Sequence, residues 1–442
     1  MKLSKRAVAF MLAGAMMAGM ITSCGGGGET TSGGTNSGGG GDKASGNVEI
    51  WSFLTQEEMN YYADAYNDLT GNSVTMRVFP GDQYLTKLQT AFRSGTNAPD
   101  IAYLEIAHLG QFKETGMLED LSSYGGTEIL DNQIPYVADL SMNSKGEISG
   151  ISWQATPGGF WYKKALAKEY LGTDDPDEVA EIMSSWESIT EAGKSVYEKS
   201  GGKVALLQDT SSARTILNNT KGVPWVDEEG NLPSDDILRK TFETEKMLRD
   251  NNVDAKIKGG TPAEASGMYE TDPFICFAQA TWGLHYVIKA NTPDEKEAEC
   301  ENKWGFVPGP GAYQSGGTWM GMYSKSKNKE AAWDYIKTMT SDEEFFSKYL
   351  VNDLGDFPGY IPAIETAIAE NHTDPFTGDQ NIFQYFYDTA MEVKNDGMTK
   401  YDSKANDLFG AKVDLLLAGD ITVDEAIEQF KADMKSAFPE IK

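Results

Sequence analysis

The apolar positions of the chain alternate between the two-residue period of a strand and the 3.6-residue period of a helix. From residue 48 onward, the patterns predict strand, helix, strand, helix and strand at residues 48–53, 56–69, 74–78, 84–92 and 101–104. Thr55 followed by Glu58 is a capping-box pattern at the start of the first helix, and Gly71 is placed to end it. This order is typical of a parallel sheet covered by helices.

A second set of the same patterns begins near residue 203. Strand patterns cover residues 203–208, 274–278, 304–307 and 316–323, and helical patterns cover residues 235–250 and 328–350. The predicted fold class is therefore α/β, with a sheet in each of two lobes. The folded part begins near residue 47 and has about 396 residues, which suits two lobes of ordinary domain size with a cleft between them.

The N-terminal segment predicts a secretory signal peptide over residues 1–23. Three positive residues precede an uncharged run of 15 residues from Ala7 to Ile21, which is shorter than the ~20 residues that a membrane-spanning helix needs. The sequence Ile21-Thr22-Ser23-Cys24 resembles a bacterial lipobox, so Cys24 is the predicted lipidation site. Acyl chains there would anchor the protein outside the bacterial cell membrane. An ordinary signal peptide followed by an unmodified thiol is the alternative.

Residues 25–46 contain 11 glycines in 22 positions and predict a flexible linker with a root-mean-square reach on the order of 26 Å. The formal charge of the chain is −29, and removal of the three positive signal residues takes the mature protein to −32. Such a surface repels nucleic acid and anionic lipid headgroups. We therefore expect no nucleic-acid partner, membrane contact through a lipid anchor only, and a monomer.

The sequence gives little support for catalysis. Its three histidines lack the spacing of a metal pair, and neither a Gly-x-Ser-x-Gly elbow nor a Gly-x4-Gly-Lys-Ser/Thr loop occurs. No catalytic residue, metal or cofactor is predicted. A glycosidase needs only two carboxylates, so a lipid-anchored glycan-processing enzyme stays open as an alternative. Cys276 and Cys300 are too few for a disulfide framework, and we expect them to be structural.

Short motifs in a specific order carry a resemblance to a known family. They begin with Val48-Glu-Ile-Trp-Ser-Phe53 and continue at residues 81–88, 92–95, 98–101, 161–164, 185–188, 305–311, 316–317 and 326–336. Over nearly all of residues 47–442, the chain resembles the extracellular solute-binding proteins of family 1. These are sugar-binding components of ABC importers and include maltose-binding protein. The resemblance implies a two-lobed, periplasmic-binding-protein-like fold that encloses a sugar and delivers it to permease subunits.

The resemblance also implies how the chain is divided between the lobes. Crossings are expected near residues 153–159 and 317–321. The first lobe would comprise residues 47–157 and about 318–375, and the second would comprise residues 158–317 and about 376–442. Hinge closure on the solute would then give the importer a conformation that differs from the empty one.

The ends of the predicted strands identify the first candidate ligand-binding residues. Ligands of open α/β sheets lie beyond the carboxyl ends of the strands, which nominates Ser52, Phe53 and Glu105. Phe53 could instead belong to the core, and Glu105 could lie beside a helix N-cap. A carboxylate at this edge would accept strong hydrogen bonds from sugar hydroxyls.

A sugar also needs aromatic platforms for its C–H faces. The resemblance places three tryptophans at cleft positions, so we predict stacking on Trp153, Trp282 and Trp319, with a core position as the alternative for each. The remaining predicted ligand-binding residues are Tyr162, Gly317, Asp356 and Tyr360. The last two lie in a loop that could equally be exposed to solvent. The acidic composition also permits a peptide, a polyamine or another cation as the solute.

Overall fold

The computed structural model describes residues 47–395 and 399–442. The predicted signal peptide, the predicted lipidation site Cys24 and the linker of residues 25–46 lie outside the described residues. Within the described part of the chain, no helix combines the length and the apolar composition that crossing a membrane requires.

Ten strands among the described residues form two sheets of five strands each. They are β1 Val48–Ser52, β2 Val74–Val78, β3 Ile101–Glu105, β4 Ile151–Ser152, β5 Pro157–Lys163, β6 Ala205–Leu207, β7 Phe274–Ala280, β8 Trp304–Val307, β9 Tyr313–Gln314 and β10 Thr318–Met322. We call the part of the molecule built on β1–β4 and β10 the first lobe, and the part built on β5–β9 the second lobe.

The first sheet has the order β2-β1-β3-β10-β4. β1 pairs in parallel with β2 and with β3, and Ile50 lies opposite Ile101. β10 pairs antiparallel with β3, which puts Thr318 at its start opposite Glu105 at the end of β3. The carboxyl ends of β1, β2 and β3 therefore share one edge of the sheet with the beginning of β10.

The second sheet has the order β6-β7-β5-β8, and β9 also pairs with β5. β6 and β7 are parallel, whereas β5 is antiparallel to both β7 and β8. Every residue of β5 is buried. Gly158 lies opposite Ala280, so β7 ends beside the point at which the chain enters this sheet from the first one.

Helices cover both sheets. The α-helices are α1 Gln56–Thr70, α2 Gly81–Ser94, α3 Ile106–Phe112, α4 Gly126–Leu130, α5 Pro135–Ser141, α6 Lys164–Leu166, α7 Pro176–Ile182, α8 Trp186–Lys199, α9 Ser211–Asn219, α10 Asp235–Asp250, α11 Pro262–Tyr269, α12 Lys329–Ser341, α13 Ile361–Ala369, α14 Ile382–Glu392, α15 Asp402–Ala418 and α16 Val423–Ala437. π-Helical segments occupy Ala167–Leu171, Leu284–Lys289 and Phe345–Leu354, and 3₁₀ segments occupy Leu121–Tyr124 and Asp294–Cys300.

The first helix begins and ends as its sequence predicts. The Thr55 hydroxyl accepts a hydrogen bond from the Glu58 amide, and the Glu58 carboxylate accepts one from the Thr55 amide, which completes the capping box. Gly71 ends α1 in the left-handed conformation with φ of 71°, where glycine has no Cβ to clash.

One predicted helix is wrong, because residues 328–350 do not form a single element. α12 ends at Ser341, and a π-helical segment begins at Phe345. Asp342 between them is extended, with φ of −80° and ψ of 124°. Its carboxylate accepts a hydrogen bond from the Phe345 amide at 2.8 Å, so this side chain starts a second helix where the apolar pattern runs on.

Two connections run side by side from one sheet to the other. Residues 153–156 join β4 to β5, and residues 315–317 join β9 to β10. The Ser315 amide donates to the Thr156 carbonyl at 3.1 Å, which holds the two connections together.

A third segment, residues 355–360, lies along the other side of the first connection. The Gly359 amide donates to the Trp153 carbonyl at 2.8 Å, and the Ala155 amide donates to the Phe357 carbonyl at 3.1 Å. We call residues 153–156, 315–317 and 355–360 together the junction. Backbone hydrogen bonds therefore join these three segments where the chain passes between the sheets.

A separate aromatic core holds the C-terminal helices against the second lobe. Phe242 of α10 stacks on Phe409 of α15 with ring centroids 4.1 Å apart, and Trp225 and Phe430 pack around that pair. These side chains are buried, and their cluster is distinct from the cores under the two sheets.

We expect Phe242→Ala to lower the free energy of unfolding by about 3–5 kcal/mol, because it removes a buried ring and leaves a cavity. Tyr197→Ala is the control, since that ring is 39% exposed and its loss should change stability by less than about 0.5 kcal/mol. Urea denaturation followed by circular dichroism measures both. Equal transition midpoints for the two variants would contradict a tightly packed C-terminal core.

Candidate functional site

The carboxyl edge of the first sheet and the end of β7 approach each other at the junction. Phe53 and Glu105 lie at the first edge, and Trp282 follows β7 at the second. The Thr281 amide donates to the Pro157 carbonyl at 3.2 Å, which fixes the turn after β7 to the first connection. This arrangement leaves a cleft between the lobes with the junction at its base, and we take that cleft as the candidate site.

Trp282 is the predicted aromatic platform with a partly exposed ring. Its indole nitrogen donates to the Ser315 carbonyl at 2.9 Å, so the second connection fixes its orientation. Gly316 makes this contact possible, because a Cβ at that position would lie 3.2 Å from the indole nitrogen and φ is +75°. A partly exposed indole ring whose nitrogen is fixed by a hydrogen bond suits stacking against a sugar.

Phe53 and Ser52 follow β1 but differ in their surroundings. Phe53 is partly exposed, and its ring centroid lies 5.7 Å from those of Tyr84 and His108. Ser52 is fully buried, and its hydroxyl accepts a hydrogen bond from the Leu54 amide at 3.0 Å. Phe53 can therefore contact a solute, whereas Ser52 shapes the turn into α1.

Glu105 lies at the carboxyl edge as the strand pattern predicted. It is the last residue of β3, it is partly exposed, and it faces the first residue of β10 in the sheet register. His108, three residues later, has no hydrogen-bond partner for Nδ1 among the described residues. Burial lowers the pKa of His108 to about 4, so the ring is neutral at physiological pH and can hydrogen-bond a hydroxyl.

Two of the predicted tryptophan platforms lie inside the first lobe instead. Trp153 is 2% exposed and packs between Tyr62 and Tyr103, and Trp319 is 1% exposed with its indole nitrogen donating to the Ser141 hydroxyl at 3.0 Å. Both residues flank the junction, but their rings are enclosed by the first-lobe core. This burial corrects the stacking prediction for both, because neither has a face open to a solute.

Tyr162 is also a core residue. It lies in the middle of β5 and is fully buried, and its hydroxyl donates to the Asp174 carbonyl at 2.9 Å. The alternation along β5 turns this side chain into the core of the second lobe. We therefore assign it no contact with a solute.

Gly317 has a conformational role at the junction. Its φ is +102°, and a Cβ there would lie 3.0 Å from the Trp319 ring. The second connection needs a residue without a side chain at this point, because both the backbone conformation and the space exclude one.

The loop of residues 353–360 places Asp356 and Tyr360 at different parts of the junction. Tyr360 stacks on Phe346 of the first lobe, with ring centroids 5.6 Å apart and planes within 5°. Asp356 retains partial exposure and lies close to Glu58 of α1. Burial, reinforced by the Glu58 charge, raises the pKa of Asp356 to about 7.

Three residues at the cleft were missed from the sequence. The sequence around Glu58 indicates only a capping box, and no sequence motif marks His285 or Tyr286. The Tyr286 hydroxyl donates to Glu58 Oε1 at 2.5 Å, and His285 Nε2 lies 3.0 Å from the Gly355 carbonyl oxygen. The helical spacing of Tyr286 from Trp282 was the available signal, because residues four apart share a helix face.

Among residues 47–395 and 399–442, no group of three or more His, Cys, Asp or Glu side chains is arranged to hold a metal ion. Cys276 and Cys300 are buried and not joined to each other. Burial raises the pKa of the Cys276 thiol well above its usual range, which favours the unreactive protonated form.

Residues 53–344 match the family model described as bacterial extracellular solute-binding protein. The chain belongs to this family. A curated relative, the arabinooligosaccharide-binding protein of Halalkalibacterium halodurans, is 25% identical over 417 residues, covering 88% of this chain and 89% of the relative. It is named as a binding protein, as is the family itself.

Solved structures of solute-binding proteins share the two-lobed fold. The crystal structure of an extracellular solute-binding protein of family 1 has a TM-score of 0.77 and 19% identity, and the match covers 88% of this chain and 99% of that one. An ABC transporter associated binding protein from B. animalis subsp. lactis, solved with β-1,6-galactobiose, has a TM-score of 0.67 and 18% identity over 88% and 97% of the two chains.

We expect Trp282→Ala in this solute-binding protein to weaken solute binding by more than ~1 kcal/mol, because it removes a stacking face. Thermal unfolding of the second lobe should stay cooperative, since the ring is partly exposed. Trp282→Phe keeps a ring but loses the bond to Ser315, and it should bind with intermediate affinity. Calorimetric titration measures all three proteins, and equal affinities would remove Trp282 from the site.

Proposed function

We propose that this solute-binding protein captures a carbohydrate, in particular an oligosaccharide, outside the cell and delivers it to the permease subunits of an ABC importer. The observation that carries the proposal is the partly exposed Trp282 ring, which the junction holds after β7, while Phe53 and Glu105 lie at the carboxyl edge of the first sheet. Aromatic faces with hydrogen-bonding groups at their edges match the C–H faces and hydroxyl rim of a sugar.

The polar groups at the cleft favour an uncharged, hydroxyl-rich solute. Glu105 can accept hydroxyl hydrogen bonds, and neutral His108 can donate or accept one. The named cargo of the curated relative and the galactobiose bound to the structural relative support the same class of solute. Arabino-oligosaccharides and galacto-oligosaccharides are accordingly the first compounds to test.

Attachment to the membrane forms part of the proposal. The lipobox-like sequence ending in Cys24 and the 22-residue linker after it support a lipid-anchored monomer that turns freely beside its permease. The lobe limits inferred from the family resemblance, with exchanges near residues 157, 318 and 375, belong to the proposal as well. The strands that belong to each sheet support the limits near residues 157 and 318.

A thermal-shift screen of the purified protein tests the proposed cargo. Its panel contains arabino-oligosaccharides, galacto-oligosaccharides and α-glucans, with polyamines and short peptides as controls. A sugar at ~100 times its dissociation constant should add about 2.7 kcal/mol of stability. The expected result is a shift with one class of sugar and none with the controls.

Two outcomes of the screen would contradict the proposal. A shift of the unfolding temperature with a polyamine or a peptide alone would leave the family assignment unchanged and show that the solute is not a sugar. Chromatography of the sugar after incubation adds the second test, because breakdown of the sugar by the purified protein would favour the glycan-processing alternative.

A further inference from the structure

A hydrogen bond connects the two lobes beside the junction. The donor is the Tyr286 hydroxyl, in the π-helical segment that follows Trp282 in the second lobe. The acceptor is Glu58 Oε1 on α1 of the first lobe, at 2.5 Å. Glu58 is 4% exposed, so this contact lies inside the interface between the lobes.

Glu58 is held rigidly for this contact. Its other oxygen, Oε2, accepts hydrogen bonds from the Thr55 amide at 2.9 Å and the Thr55 hydroxyl at 2.7 Å. The capping box thus leaves Oε1 as the oxygen that faces the second lobe. A short hydrogen bond to a fixed carboxylate is stronger than one between neutral groups.

A second carboxyl group lies near enough to Glu58 to feel its charge. Asp356, in the segment of residues 355–360, accepts a hydrogen bond from the Phe357 amide at 2.9 Å. Gln154 donates to Asp356 Oδ2 at 3.2 Å when its amide is oriented to satisfy both of its polar atoms. The Trp153 indole nitrogen is close to this carboxyl but makes no hydrogen bond of regular geometry.

The groups that face Asp356 come from every element around it. Glu58 and the Tyr62 hydroxyl come from α1, the Tyr286 hydroxyl comes from the second lobe, and Gln154 comes from the first connection. Glu58 is the charged group of this set, and its negative charge opposes ionisation of Asp356. His285 is a further titratable neighbour, because its Nε2 lies 3.0 Å from the carbonyl oxygen of Gly355, the residue before Asp356.

We propose that Glu58, Asp356 and Tyr286 form a proton-sensitive latch that stabilises the closed arrangement of the lobes without touching the solute. The Tyr286 hydroxyl bonds Glu58 across the interface between the lobes, and a proton on Asp356 removes the repulsion between the two carboxyl groups. Opening of the lobes withdraws Tyr286 and increases the access of water to Glu58 and Asp356. These are positioning residues, because they change the population of the binding-competent form and hence the affinity.

The direction of the pH effect follows from the closed structure. Burial and the Glu58 charge raise the pKa of Asp356 to about 7 there, while hydration in an open form would return it toward its ordinary value. The closed form therefore holds the proton more tightly. Acidification from pH 8 to pH 6 favours closure, and the closed-to-open ratio should change by on the order of tenfold.

The proposed latch controls the same cleft that would bind the solute, so it rests on the proposed function. Its test needs no sugar. Spin labels are attached at Thr90→Cys on α2 and Glu187→Cys on α8, two exposed positions in different lobes. Pulsed electron resonance then gives the distribution of interlobe distances at pH 6 and pH 8. The thiols of Cys276 and Cys300 are buried, and a protein that begins at residue 47 lacks Cys24, which confines labelling to the introduced sites.

The expected result for the unmodified protein is a larger short-distance population at pH 6 than at pH 8. Asp356→Asn should stay mainly closed at both pH values, since the amide carries no charge. Tyr286→Phe should reduce the closed-to-open ratio by about tenfold, because it loses the hydrogen bond between the lobes. It should keep a pH response, because Asp356 and Glu58 are unchanged.

Two matched controls separate the latch from general effects. Tyr66→Phe removes a tyrosine–carboxylate hydrogen bond of 2.6 Å to Asp334, which lies within the first lobe. Glu245→Gln removes a buried carboxyl group of the second lobe whose pKa is likewise raised by burial to about 7. Both controls should leave the interlobe distances and their pH response unchanged.

Three outcomes would overturn the latch. The first is a distance distribution that does not depend on pH in the unmodified protein. The second is a full pH response in Asp356→Asn that disappears in His285→Gln, which would place the proton on the histidine. The third is an unchanged distribution in Tyr286→Phe. A failure of the sugar screen alone would leave these distances unaffected, so the two proposals fail separately.

Discussion

The structure depends on the backbone pairing of the three segments at the junction. Residues 315–317 and 355–360 bond to opposite sides of residues 153–156, so two sheets with different strand orders share one narrow, hydrogen-bonded base. Few backbone groups there are free to move independently. We expect motion between the lobes to take the form of bending at this base, as in hinge closure around a ligand.

Burial divides the aromatic residues around this base into two classes. Trp153 and Trp319 face inward and close the first-lobe core on either side of the junction, while Trp282 lies on the cleft side with its ring edge fixed to Ser315. The buried tryptophans make the base stiff, and the exposed one remains available to a solute. Glycine at positions 316 and 317 allows the second connection to pass close to both Trp282 and Trp319.

Local patterns predicted the elements well because each of those signals acts over a few residues. The capping box at Thr55, the strand–helix order through residue 105 and the limits of α10 at residues 235 and 250 all agree with the structure. The same reasoning failed at Asp342, where one side-chain hydrogen bond interrupts an unbroken apolar stripe.

The site was harder to predict, because a sequence does not show which face of a strand meets the cleft. Phe53 and Trp282 follow strands β1 and β7, and Glu105 ends β3, as their sequence positions indicated. Their contact with a solute remains a prediction. Trp153, Trp319 and Tyr162 have equally suitable chemistry, but all three are buried. The register of β10 and β5 turns Trp319 and Tyr162 inward, and Trp153, just after β4, packs between Tyr62 and Tyr103. Glu58 and Tyr286 are 228 positions apart, and only the folded chain brings them together.

The most direct test of a carbohydrate cleft at the junction is hydrogen–deuterium exchange of the purified protein with and without a saturating mixture of oligosaccharides. The account predicts slower exchange in the backbone at residues 52–55, 105–108, 281–286 and 315–317, with the C-terminal helices α15 and α16 unchanged. Protection confined to other surfaces, or no protection with any sugar, would contradict it.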